Sequence, residues 1–293
     1  MKTSIASFLI LATLSGCQFS KSVKKDLVSG LFTTGDGISC DDVTLSVNDQ
    51  KTERSTYIYG EKFRVNFNNI EGFVKNNDNV FPGMKLFVIS KTGDTVLQTN
   101  DLYTEYSTGL KLSPLLLTSD VTVASPMQSK GEYTLHVNIW DKKGKGTFSA
   151  KFDFKVKSND QIVTEINKVT YNELYLFSKE REKVITDNKI RFNENTYLII
   201  EGLSGFKEEN GMVFPGLSLK GTDNKGTMIL DYDDLFADYS QNGLAVSDLN
   251  TRLSSHFMLT GTEFLNPLHC VLTVWDKKSD AKIKATADLI VEL

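Results

Sequence analysis

The residues most often used for catalysis are few and scattered along this chain. Three histidines occur, at His136, His256 and His269, and the cysteines also number three. His136 and His269 fall in alternating, strand-like segments, without a serine or cysteine at the spacing typical of a nucleophile and its base. The sequence therefore predicts neither a catalytic centre nor a cofactor-binding site.

The densest group of acidic side chains consists of Asp231, Asp233, Asp234 and Asp238. Several carboxylate oxygens close together are ligands that Ca²⁺ prefers, so a calcium site is one interpretation. A matching segment earlier in the chain carries a weaker ligand set: Gln98, Asn100, Asp101 and Glu105. A helix N-cap with a solvated face explains the cluster without an ion, and we predict no metal site.

The only two tryptophans, Trp140 and Trp275, stand in identical Trp-Asp-Lys-Lys segments. Exposed aromatic rings stack on sugars or anchor protein partners, so both are candidate ligand-binding residues. By the alternation of the segments that precede them, both side chains are expected to point away from the interior of their domain. The competing interpretation is that each ring folds over the end of its domain while the following residues close a turn.

Composition narrows the class of protein. The 293 residues are 40% hydrophobic and 24% charged, which is typical of globular proteins, and the length suggests two domains. The formal net charge of −4, from 33 basic and 37 acidic residues, provides no basic field for a nucleic acid. We therefore expect no nucleic-acid partner.

The first residues have the organisation of a secretory signal. Lys2 precedes an apolar run from Ile5 to Leu14, which is about half the length needed to span a bilayer. The segment Leu14-Ser15-Gly16-Cys17 resembles the lipobox of bacterial lipoproteins. An ordinary secretory signal with a coincidental cysteine is the alternative.

The lipoprotein resemblance implies cleavage after residue 16 and acyl chains on Cys17, which would anchor the chain to a membrane. Gln18 follows the cysteine, where an aspartate would suggest retention at the inner membrane, so the outer membrane is favoured. Residues 17–41 contain clustered glycines and polar turn formers, which predicts a flexible tether.

An internal repeat organises the rest of the chain. Residues 60–108 align without a gap to 193–241, and 15 of these 49 positions are identical. The shared landmarks include Val80-Phe81-Pro82-Gly83 with Val213-Phe214-Pro215-Gly216, and Asp101-Leu102 with Asp234-Leu235. A period near 133 is the size of a whole domain rather than of a solenoid repeat. The sequence predicts an internal duplication with domains at 42–158 and 159–293.

Each copy alternates with the period of a β-strand. Tyr133, Leu135, Val137 and Ile139 alternate with polar residues, and a second alternating run follows a glycine-rich turn. Tyr133, just inside a late strand, resembles the tyrosine corner of immunoglobulin-like sandwiches, in which the hydroxyl bonds to an upstream backbone group. We predict an all-β chain of two tandem Ig-like antiparallel sandwiches, with a jelly-roll sandwich as the alternative.

Two details of the second copy differ from the first. Asn266-Pro267-Leu268 replaces the tyrosine corner, so packing is expected to hold that corner. Cys270 occupies an inward strand position and is predicted to be a small buried hydrophobe, although a disulfide with Cys40 is conceivable in an oxidising envelope.

The function predicted from these features is a non-enzymatic, membrane-anchored envelope lipoprotein with a protein-interaction or assembly role. A surface glycan-binding lipoprotein of a polysaccharide uptake system is one alternative, with Trp140 and Trp275 as stacking platforms. A scaffold lipoprotein of a secretion apparatus is another, because fold alone does not choose among these roles.

Overall fold

The computed structural model describes residues 21–26 and 30–293, which form mainly β-strands. The predicted signal peptide, 1–16, and the predicted lipidation site, Cys17, lie outside the described residues. The strands of the first half are β1 (Lys21–Lys25), β2 (Phe32–Asp36), β3 (Ser39–Val47), β4 (Gln50–Thr52), β5 (Thr56–Ile58), β6 (Lys62–Glu71), β7 (Pro82–Ser90), β8 (Thr95–Gln98), β9 (Leu117–Thr122), β10 (Glu132–Asp141) and β11 (Thr147–Lys157).

The second half follows the same plan, with two short helices added. Its elements are β12 (Ile162–Asn167), β13 (Glu173–Ser178), β14 (Lys183–Ile185), β15 (Lys189–Arg191), β16 (Thr196–Glu201), β17 (Met212–Val213), β18 (Pro215–Thr222), β19 (Met228–Tyr232), α1 (Tyr239–Asn242), β20 (Leu244–Ala245), α2 (Val246–Thr251), β21 (Arg252–Phe257), β22 (Leu268–Asp276) and β23 (Lys282–Glu292).

Each half contains two main sheets, and the second half has an additional two-stranded sheet of β17 and β20. In the first half the sheets have strand orders β1-β2-β11-β10-β7-β8 and β4-β3-β6-β9, and β5 runs parallel to β11. In the second half the orders are β12-β23-β22-β18-β19 and β14-β13-β16-β21, and β15 runs parallel to β23. A four-strand sheet facing a larger antiparallel sheet is an immunoglobulin-like arrangement, so the predicted fold class is confirmed. That the two halves arose by duplication stays a prediction.

The core of the first half lies between its two sheets and is rich in aromatic rings. β10 and β11 turn alternate side chains inward, and Leu135 of β10 pairs in register with Phe152 of β11. The rings of Tyr57 and Phe63 stack with centroids 4.4 Å apart, and Phe154 meets Phe63 edge-on. The second core uses mainly aliphatic side chains, such as Leu272 and Ile283.

The tether prediction is wrong for the described residues between 21 and 41, because they belong to the first sandwich. β2 pairs with β11, and β1 pairs with the outer edge of β2. Leu31, Ile38 and Cys40 are buried in the core. Gly35 permits close packing rather than flexibility, since a Cβ atom there would lie 2.2 Å from the carbonyl oxygen of Ile38.

The tyrosine corner predicted in the first half is confirmed. The backbone N–H of Gln128 donates to the Tyr133 hydroxyl over 2.8 Å. In the second half, hydrogen bonds of the Asn266 side chain hold the corner, rather than the packing that the sequence suggested. The Asn266 side-chain amide donates to the Val291 carbonyl over 2.9 Å and accepts from the Val291 N–H over 2.7 Å. One side-chain amide thus replaces the backbone pairing that Lys130 and Gly131 make with Val156 in the first half.

The two halves pack directly on each other. Tyr59 of the first half meets Tyr175 of the second, with ring centroids 5.2 Å apart, and both rings are buried. Ser129 donates its backbone N–H and its hydroxyl to the Glu173 carboxylate, over 2.5 Å and 2.7 Å. Burial of Glu173 raises the pKa of its carboxyl group despite these hydrogen bonds. The junction therefore contains apolar packing and a buried, hydrogen-bonded acid.

Gly60 supplies a test of this junction. It has a φ of +87°, and a Cβ atom there would lie 2.1 Å from the Val184 Cβ atom. We expect Gly60→Ala to lower the free energy of unfolding by about 1–3 kcal/mol through overpacking, in addition to about 1–3 kcal/mol of backbone strain. Urea unfolding of the full chain would measure the loss.

The matched control is Gly93→Ala, because Gly93 has a φ of +96° and no atom within 4 Å of the added Cβ position. This variant should show the backbone strain alone. Equal losses for the two glycine variants would contradict a tightly packed junction.

Candidate functional site

Both tryptophans lie against a glycine of the neighbouring strand. A Cβ atom on Gly83 would lie 2.1 Å from Cε2 of Trp140, and one on Gly216 would lie 2.2 Å from Cε2 of Trp275. Each indole therefore requires the glycine of the repeated Val-Phe-Pro-Gly segment. Both tryptophans are half-buried.

The aspartate after each tryptophan closes the same end of the sandwich. Asp141 is buried and accepts backbone N–H groups from Val74 over 2.7 Å and Lys143 over 2.9 Å. Asp276 is buried in the same way and accepts from Lys207 over 2.8 Å and Lys278 over 3.0 Å. These carboxylates fix a distant loop onto the turn between the last two strands.

The lysines of the Trp-Asp-Lys-Lys segments complete this cluster. Lys142 pairs with Asp101 at 2.6 Å and also donates to the Tyr103 carbonyl. Lys143 places its ammonium nitrogen 5.0 Å from the centroid of the Phe81 ring. The same contacts recur in the second half, between Lys277 and Asp234 at 2.8 Å and between Lys278 and Phe214 at 4.6 Å. The repeated motifs therefore have a structural explanation in both halves.

The acidic cluster is held by lysines and by backbone groups. Lys220 forms ion pairs with Asp231 and Asp233, and the latter contact measures 2.5 Å. Burial opposes ionisation of Asp234, but Lys277 and the N–H groups of Leu217 and Phe236 hold the pKa of Asp234 below its usual value. Across 21–26 and 30–293, no group of three or more metal-ligating side chains is arranged to hold an ion.

A groove of about 630 Å³ opens beside Trp140 on the first half, and we call it the Trp140 groove. It crosses four adjacent strands, β1, β2, β11 and β10, and paired residues on these strands share one face. One row across the groove is Lys21, Asp36, Thr147 and Trp140. The next row is Val23, Thr34, Ser149 and Asn138. The hydroxyl oxygens of Thr34 and Ser149 lie 2.6 Å apart.

The surroundings of Trp275 carry a different chemistry. Lys282 pairs directly with Trp275, at the position that Thr147 occupies beside Trp140. Lys284 stands where the first half has Ser149 and forms an ion pair with Glu165 at 3.1 Å. Long charged side chains thus replace the short hydroxyl residues, and the two predicted candidate tryptophans are not equivalent.

The outer edge of β12 is a second candidate surface. β12 is the terminal strand of its sheet, and Val163 and Ile166 are 62% and 56% exposed. In the first half the corresponding edge belongs to β2, which is covered by β1. The free edge of β1 carries Lys21, Lys24 and Lys25, a device that discourages strand pairing. The edge of β12 is therefore less protected than its counterpart.

The histidine and described cysteine side chains do not form a cluster; His269 and Cys270 are consecutive on β22, but one is exposed and the other is buried on the opposite face. His136 stacks on Phe87, His256 stacks on Tyr197, and His269 lies 2.7 Å from Asp288. Cys40 and Cys270 are free thiols in the cores of different halves, so the alternative of a disulfide between them is wrong. Burial raises the pKa of Cys40 to about 11 and that of Cys270 to about 12.

The sequence indicated Trp140 and the strands β10 and β11, but it did not predict β1 and β2, the other two strands that form the groove. β1 and β2 are short and rich in lysine, threonine and glycine, and they lack clear alternation. The exposed edge of β12 could not be predicted from the sequence either, because the order of strand pairing in the sheet decides which strand lies at an edge. The sequence did contain one signal of the difference between the two tryptophans: Trp140 pairs with Thr147, whereas Trp275 pairs with Lys282.

Comparisons with known proteins give only distant structural similarity. No family model and no curated protein matches the chain. The C-terminal domain of Wzt is 12% identical, with a TM-score of 0.34, over 44% of this chain and 78% of that chain. The C-terminal domain of the Streptococcus agalactiae AgI/II polypeptide BspA is 11% identical, with a TM-score of 0.25, over 84% of this chain and 99% of that chain. Neither similarity bears on function.

Asp141 provides a test of the cluster that forms around the Trp140-Asp141-Lys142-Lys143 segment. Asp141→Ala leaves the N–H groups of Val74 and Lys143 without their acceptor, and we expect a loss of about 2–4 kcal/mol in unfolding free energy. The control is Asp153→Ala, since Asp153 lies on the exposed face of β11 and accepts only from the Thr134 hydroxyl. Thermal and urea unfolding would compare them. A loss no larger than that of Asp153→Ala would show that the buried carboxylate is dispensable.

Proposed function

We propose that the protein is a non-enzymatic envelope lipoprotein that binds a protein partner by adding a strand to the edge of β12. The observation that carries this proposal is the edge of β12, which no other described strand covers, with its exposed Val163 and Ile166. An extended peptide that joins such an edge gains main-chain hydrogen bonds, and side-chain contacts then provide specificity. Acyl chains on Cys17 would hold the protein at a membrane, with the outer membrane favoured by Gln18.

The regular register of β12 supports its choice over the opposite edge of the same sheet. β12 pairs with β23 without interruption from Ile162 to Asn167, so its outer edge is straight. β19, at the other end, also exposes apolar side chains, including Met228 and Tyr232. However, the register of β19 shifts near Gly221 and Thr222, and such irregularities discourage the addition of a further strand.

Membrane attachment through a lipid is proposed on the lipobox alone. Among the residues that the structure describes, no helix is long and apolar enough to cross a membrane. The lipid anchor on Cys17 is therefore tested directly by labelling.

Cells that express the full chain would be grown with an alkyne analogue of palmitate, and label on the purified protein would be measured. We expect Cys17→Ser to abolish labelling. The control is Cys40→Ser, which should retain the label because Cys40 is buried and its pKa is raised to about 11. Persistent labelling of Cys17→Ser would contradict the lipoprotein proposal.

The strand-addition proposal is tested by placing a photo-crosslinking amino acid at position 166 or position 228 of the full chain in cells. We expect crosslinks to a partner protein from position 166, on β12, and background levels from position 228, on β19. Ile166→Lys should reduce recovery of the crosslinked partner by tenfold or more, while Met228→Lys should leave it unchanged. No specific crosslink from 166, or equal crosslinking from both positions, would contradict the proposal.

A further inference from the structure

The Trp140 groove has the composition of a binding site rather than of a packing defect. One end is formed by Trp140, whose half-buried indole lies over Gly83 of β7, and the floor carries the hydroxyls of Thr147, Ser149 and Thr34. Asn138, at the end of the second row, is exposed and offers both amide donors and a carbonyl acceptor. An apolar ring bordered by a few polar groups is the usual organisation of a small-molecule site.

Charge narrows the class of ligand. The charged side chains that line the groove are Lys21 and Asp36, and these two residues face each other across β1 and β2. Their opposite charges balance, so the groove favours neither an anion nor a cation. The four strands span three inter-strand spacings, about 14 Å in all, which is longer than a single sugar ring.

We propose that the Trp140 groove binds a neutral oligosaccharide, with one sugar ring stacked on Trp140. A sugar ring presents apolar C–H groups on its faces and hydroxyl groups at its rim. The indole matches the face, and the hydroxyl residues and Asn138 match the rim because each of them both donates and accepts. This site lies in the other half of the chain from β12, so the two proposals fail independently.

The second half argues against a shared role for the two tryptophans. Lys282 and Lys284 occupy the positions of Thr147 and Ser149, and their long side chains replace the hydroxyl floor. The strand equivalent to β2 is β12, and it is the last strand of its sheet, whereas β2 is extended by β1. Trp275 thus keeps the structural contact with Gly216 but lacks the polar groove.

The experiment uses the full chain purified in detergent and a panel of neutral hexasaccharides: maltohexaose, cellohexaose and mannohexaose. Tryptophan fluorescence and calorimetry would measure binding. We expect at least one saccharide to bind saturably and Trp140→Phe to weaken its binding about tenfold or more, which corresponds to about 1.4 kcal/mol. Trp275→Phe is the matched control and should leave affinity unchanged.

Ser149→Lys provides a second variant that leaves Trp140 in place. It introduces the residue type found at the equivalent position of the second half, and its side chain should fill the groove and weaken binding to a similar degree. Melting temperatures would confirm that each variant is folded. The proposal is overturned if no saccharide of the panel binds, or if binding survives both first-half variants. It is also overturned if Trp275→Phe is equally damaging, or if a neutral Ser-Thr-Gly peptide binds instead.

Discussion

The buried carboxylate that follows each tryptophan is the constraint on which the rest of each sandwich depends. Asp141 and Asp276 receive backbone N–H groups from a loop about 70 residues earlier and from the turn that follows. A buried carboxyl group in that position is tolerated only because these donors satisfy its oxygens. These hydrogen bonds fix the loop against the turn directly beside the tryptophan, whose indole meets the glycine of the adjacent strand.

Much of the fold follows from local sequence. β10 and β11 alternate clearly enough to predict a hairpin, and Tyr133 forms the hydroxyl bond expected of it. The buried position of Cys270 also follows from strand phase. β1 and β2 were not predictable in this way, because β2 is held by pairing with β11, more than a hundred residues away, and its one glycine, Gly35, serves close packing. The sequence suggested packing at the second corner, and it did not predict the hydrogen bonds of Asn266, whose side-chain amide takes the place of a backbone peptide group beside Val291.

The candidate sites were only partly predictable, for a related reason. Residue types identified both tryptophans but did not distinguish them, since Trp140 and Trp275 make the same contact with a glycine. The difference lies in the strands beside them, where hydroxyl residues line one surface and lysines the other. The strand orders and closing turns of the two halves are similar, whereas their outer faces differ. Such a difference separates the residues that maintain a fold from those that are free to acquire specificity.

The position of β1 in the first sandwich determines how far the Trp140 groove can lie from the predicted lipid anchor. Lys21 is the first residue of β1 and is four residues after Cys17, which limits their separation to about 14 Å. With acyl chains on that cysteine, the mouth of the Trp140 groove would stand within a short distance of the lipid headgroups. A ligand attached to a lipid would then reach the groove by diffusion along the membrane surface, in two dimensions rather than three. Lipid-linked molecules would therefore bind more readily than molecules free in solution.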